Sequence, residues 1–120
     1  MTLKETYTAL EGDYEDILRR FGSERTIQKF VLKFLDDKSF DNLCIALEEN
    51  ASAEAFRAAH TIKGMCQNLS FTKLAQSSSM LTEALRSGDL DGARALFGRV
   101  CEDYGRTVDA IRTFQAEISQ

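Results

Sequence analysis

The stretch Ser52-Ala53-Glu54-Ala55-Phe56-Arg57-Ala58-Ala59-His60-Thr61-Ile62-Lys63-Gly64-Met65-Cys66-Gln67-Asn68-Leu69 decides the fold class of this chain. Ala55, Ala58, Ile62, Met65 and Leu69 recur at the three- and four-residue spacings of one helical face, with Ala59 and Cys66 at its flanks. Ser52 is of the type that caps a helix N-terminus, and Asn68 to Ser70 reads as the closing turn. The segment is an amphipathic helix, and its polar face holds the only histidine, His60. At about 100° per residue, His60 lies about 160° from Ile62, nearly opposite the apolar stripe.

The same periodicity extends in both directions. Upstream, Leu3, Tyr7, Leu10, Tyr14, Ile17, Leu18 and Phe21 follow helical spacing, with a break and a fresh N-cap at Gly12-Asp13. Gly22-Ser23 ends that element, and Ser23 caps a helix with Ile27, Phe30, Val31 and Phe34 inward. After a turn at Asp36 to Ser39, a further helix turns Phe40, Leu43, Cys44 and Leu47 inward. Downstream, Phe71, Leu74, Ser78, Leu81 and Leu85 mark a helix closed by Ser87-Gly88, with Asp89 as the next cap. A last helix of about thirty residues, roughly 45 Å at 1.5 Å per residue, carries Leu90, Ala93, Phe97, Val100, Tyr104, Val108, Ile111 and Ile118.

No segment alternates with period two, and the connections are short. Short links between amphipathic helices make antiparallel neighbours. The expected fold is all-α: an antiparallel up-down four-helix bundle with an additional short N-terminal helix. Gly98 and Gly105 fall inside the last helix, where each costs about 1 kcal/mol, and close helix approach is the expected reason.

Composition narrows the function classes. The 120 residues read as one domain over 1–120, long enough to bury roughly two-thirds of the unfolded surface. The absence of proline leaves helices uninterrupted. A net charge of −4 with interleaved signs shows no basic cluster, which argues against nucleic acid as a partner. No apolar run nears the ~18 residues needed to span a bilayer, and the N-terminus lacks a signal-peptide core. The expected compartment is the cytoplasm. Cys44, Cys66 and Cys101, odd in number and set in apolar patterns, read as reduced core thiols.

The polar face around His60 also holds Phe56, Arg57, Lys63, Gly64 and Gln67. A surface histidine or lysine taken singly is ordinary decoration. A mid-helix glycine is less easily explained, because it costs stability where exposed packing does not require it; its use is to let a partner approach the imidazole. Neutral imidazole is a competent nucleophile near pH 7, and an N–P bond suits handing a phosphoryl group on. Lys63 can offset the incoming negative charge. An exposed Phe56 one turn before His60 suggests apolar docking. There is no phosphate-binding glycine loop and no acidic cluster for magnesium. The partner must then supply metal and activation, and no metal or cofactor is expected on this chain.

Ala59-His60-Thr61-Ile62-Lys63-Gly64 resembles the motif of the histidine-containing phosphotransfer (HPt) family of two-component phosphorelays: alanine-histidine, two residues, lysine-glycine. The likeness continues through Asn68-Leu69, the next leucine-rich helix and Leu85-Arg86-Ser87-Gly88-Asp89-Leu90. Upstream it takes in Leu18-Arg19-Arg20-Phe21-Gly22 and the Phe30 to Leu47 pattern. The resemblance implies a phosphoryl carrier without kinase activity, His60 as acceptor through Nε2, Lys63 as electrostatic aid and Gly64 as the access gap. It implies response-regulator receiver domains and a sensor or hybrid histidine kinase as partners, with Mg²⁺ on the receiver only. The implied partner surface is Phe56, Gln67 and the N-terminal helices around Ile17 and Phe21.

Two positions depart from the family pattern. Ser70 stands where a turn glycine is usual, and Thr82 where many members carry a glutamine or glutamate that orients the imidazole. Gln67, or less well Glu83, can take over that contact. A second reading stays open: a helical interaction module that binds a receiver or another partner through the Phe56/His60 face without phosphotransfer. One histidine and no clustered ligands leave little for a metal enzyme. Met1 and the full bundle pattern point to a free-standing module, a monomer by default, with a fragment of a hybrid kinase as the alternative.

Overall fold

Asp13, Ser23 and Asp89 each accept a hydrogen bond from the backbone N–H three residues on, and each starts a helix. Thr2 does the same for Glu5, whose carboxylate accepts in return from the Thr2 N–H. The computed structural model describes residues 1–120 and contains α1 (Leu3–Ala9), α2 (Tyr14–Phe21), α3 (Glu24–Phe34), α4 (Ser39–Glu48), α5 (Ser52–Asn68), α6 (Thr72–Arg86) and α7 (Leu90–Ile118). The fold is all-helical, with no strand. Three short helices precede α4, where one additional helix was expected. The expected cap of α5 is also displaced. Asn50 adopts a left-handed φ of 55° and the Ala51 N–H donates back to Ala46 O, so Ala51 takes the cap position and Ser52 is already helical.

One contiguous apolar core draws on all seven helices. Within it α5 packs against α4 and α6, α6 packs against α7, and α1 also lies on α7. α4 reaches α7 through Phe40, which stacks on Tyr104 with centroids 3.9 Å apart and also faces Phe97 at 6.1 Å. The 29 residues of α7 account for the 42 Å long axis of the molecule. No helix is long and apolar enough to cross a membrane. Cys66 is buried, Cys44 and Cys101 are half-buried, and burial pushes all three thiols up.

Several inward assignments shift in three dimensions. Phe30 and Ile118 are exposed, whereas Asp103, Thr107 and Phe114 are buried. Asp103 accepts from Arg106 at 2.8 Å, and Arg106 also reaches Glu11 at 3.2 Å. Gly98 and Gly105 do not mark close helix approach, since a Cβ on either would meet nothing within 4 Å.

Gly12 does mark one. A Cβ there would lie 2.6 Å from Ser70 O, because the α1–α2 junction is laid on the α5–α6 turn. The Asp13 N–H donates to Ser70 O at 2.8 Å, and the Tyr7 hydroxyl donates to Leu69 O at 2.8 Å. Ser70, at a left-handed φ of 57°, donates its hydroxyl proton to Asp16 at 2.6 Å. Arg20 donates to the Ser70 hydroxyl at 2.7 Å and to Asn68 O at 2.8 Å. Ser70 therefore ties α2 to the C-terminal end of α5.

Candidate functional site

Alanines at 55, 58 and 59 let α5 settle closely among its neighbours and turn its other face to solvent. On that face His60 is exposed, Gly64 is exposed, and Lys63 is half-buried. A Cβ placed on Gly64 would have no heavy atom within 4 Å, so the space beside the imidazole is open. Lys63 takes part in none of the ion pairs, unlike its neighbour Arg57, which pairs with Glu54 at 3.1 Å.

Phe56 is half-buried, not exposed, and packs against the core. Its ring centroid lies 5.7 Å from that of His60, with the planes tilted by 46°. Arg86, reaching over from α6, holds its guanidinium carbon 4.9 Å from the Phe56 centroid. Sequence periodicity missed Arg86 because it lies on a different helix from His60. The one available signal was its place in the Leu85-Arg86-Ser87-Gly88 segment.

The expected orienting contacts are absent. Thr82 is fully buried and donates its hydroxyl proton to Ser78 O at 2.6 Å, not to the imidazole. Glu83 is taken up by Arg86, at 3.2 and 3.3 Å. Gln67 is exposed on the His60 face and makes no side-chain hydrogen bond to the ring.

Ile17, expected at the partner surface, is completely buried on the inner side of α2 and lines no surface. Phe21 is half-buried and meets exposed Phe30 edge-on at 5.6 Å and 82°. Arg20 lies 5.7 Å from the Phe21 ring, and Lys29 and Lys33 lie 5.9 and 5.5 Å from the Phe30 ring. A cleft of about 210 Å³ joins Phe30 and Lys33 to Met65 and Asn68, so the exposed aromatic edge of α3 continues onto α5 one residue past Gly64. Periodicity alone puts Phe30 in the core; the lysines at 29 and 33 are the signal that its ring is at the surface. No group of three or more His, Cys, Asp or Glu side chains is placed to hold a metal ion.

The family model of the Hpt domain matches residues 35–118. The chain belongs to the Hpt domain family. The matched span of this Hpt domain takes in all of α4 to α7 and leaves α1 to α3 outside it. No curated protein and no solved structure gives a significant match. Hpt domains are phosphocarriers of two-component phosphorelays rather than enzymes, and the α5 face lies inside the matched span.

Proposed function

We propose that this Hpt domain is a phosphorelay intermediate in which His60 accepts a phosphoryl group from a receiver aspartate and donates it to another. The observation that carries the reading is the α5 face itself: the only imidazole of the chain, exposed, beside a glycine whose Cβ position is empty and a lysine free of ion pairs. In acceptance, the neutral imidazole nitrogen attacks phosphorus, the P–O bond to the receiver carboxylate breaks, and an N–P bond forms. Donation runs the same step backwards. Lys63 stabilises the arriving charge by about 1 kcal/mol in this screened setting. Gly64 gives the receiver's active site room, and the receiver brings its own Mg²⁺.

In this account α4 to α7 are the antiparallel up-down bundle that presents His60, α1 to α3 brace it, and the chain acts as one monomeric domain in the cytoplasm. Half-buried Phe56 and the Phe21–Phe30 pair flank the approach to the imidazole. The partners are receiver domains and the sensor or hybrid kinase that feeds them. A phosphotransfer profile against each receiver of the source organism tests this. One or a few receivers should exchange label rapidly, and the product should be acid-labile and alkali-stable. Receiver binding that survives His60→Ala, with no label on the wild type, would make the domain an interaction module instead.

A further inference from the structure

His60 leans on an aromatic neighbour where a hydrogen bond from α6 was expected. Helical side chains point back toward the N-terminus, over the residue four positions earlier. For His60 that residue is Phe56, with the rings 5.7 Å apart. Phe56 is itself restrained, by the core beneath it and by the Arg86 guanidinium 4.9 Å from its centre. Both oxygens of Glu83 hold Arg86 in turn. Glu83, Arg86, Phe56 and His60 make a continuous file from α6 to α5.

We propose that Phe56, braced by Arg86, is the positioning residue that sets the His60 imidazole for transfer. The proposal rests on His60 being the phosphoryl acceptor. An imidazole on an open helix face otherwise spreads over its rotamers, and only some of them aim the outer nitrogen at an approaching phosphorus. A restrained ring at the i−4 position excludes rotamers that collide with it and favours the tilted contact observed. The guanidinium keeps the Phe56 ring from swinging toward solvent. The role that Thr82 and Glu83 do not fill is met by ring packing, with α6 acting through Arg86.

The single histidine makes the test direct. Its ring C–H resonances in the full chain report one environment, so proton–carbon NMR reads the contact without any partner. Wild type, Phe56→Leu, Phe56→Tyr and Arg86→Met are compared by these resonances and by transfer from a phosphorylated receiver over a concentration series. Ring-current shifts should be present in wild type and Phe56→Tyr and lost in Phe56→Leu. Transfer at saturating receiver should slow about three- to tenfold in Phe56→Leu and about two- to threefold in Arg86→Met, whatever change in the half-saturating concentration accompanies it. Phe56→Tyr should stay within about twofold of wild type. If Phe56→Leu melts far below the wild type, Arg86→Met carries the test. Resonances and saturating rates that match the wild type overturn the proposal, as does an effect confined to the half-saturating concentration, which belongs to docking. A wild type that takes no label sinks the carrier reading itself, while label on wild type with equal rates in the variants sinks only the positioning role.

Discussion

At Gly64 the absence of a side chain has separable consequences for stability and for access. Nothing stands within 4 Å of its Cβ position, so Gly64→Ala should raise stability by about 1 kcal/mol, read by urea denaturation. Gly64→Trp should also fold, because the added bulk points into open space, yet it should slow transfer at least tenfold. A tryptophan variant that transfers at the wild-type rate would remove the access role. Lys63→Ala should slow transfer about fivefold, the equivalent of about 1 kcal/mol, with less effect at high salt. Equal rates in both proteins at low salt would show that the lysine contributes nothing. The exposure of His60 was legible in the sequence because it needs only the 3.6-residue period. What touches the imidazole was not, because Arg86 and Glu83 arrive from another helix and Thr82 spends its hydroxyl on its own backbone.

Helix starts were legible where a side chain makes the cap, as at Asp13, Ser23 and Asp89. One start was misjudged where backbone alone ends the preceding helix: Ala51, not Ser52, caps α5. Glu11, Asn50 and Ser70 all adopt left-handed backbone, with φ of 61°, 55° and 57°. After each, the next N–H donates back five residues: Gly12 to Tyr7, Ala51 to Ala46 and Phe71 to Cys66. Glutamate and serine do not announce such a turn by residue type, and these two junctions were legible instead from Gly12-Asp13 and from the Asn68 to Ser70 stretch. Gly98 and Gly105 were misjudged for a different reason, since a glycine in a helical pattern invites a packing explanation that only neighbours can verify. Gly98 is exposed with an empty Cβ position, so Gly98→Ala should stabilise the protein by about 0.5 to 1 kcal/mol and raise the melting temperature. A lower melting temperature would mean that a partner or neighbour does use that gap.

Across the whole molecule, the α1–α2 junction is fastened to the turn that follows the His60 helix, a long-range contact that no local pattern encodes. The Asp16 carboxylate is its electrostatic centre. The Ser70 hydroxyl, and after it the Arg20 guanidinium, hold the Asp16 carboxyl below the ordinary aspartate range. A carboxyl whose folded value is lowered adds stability that is fully present above its unfolded value, about 3.9, and lost as pH falls through the folded value. Asp16→Asn should therefore melt below the wild type at pH 7, with the gap closing as pH drops below about 4. A gap that stays constant across that range would assign the clamp to shape rather than charge. The most direct test of the central claim is the fate of label from a phosphorylated cognate receiver on wild type and His60→Gln. The account predicts one acid-labile, alkali-stable phosphoryl group on the wild type and none on the variant. Label that persists in His60→Gln, or a wild type that no receiver can label, would contradict it.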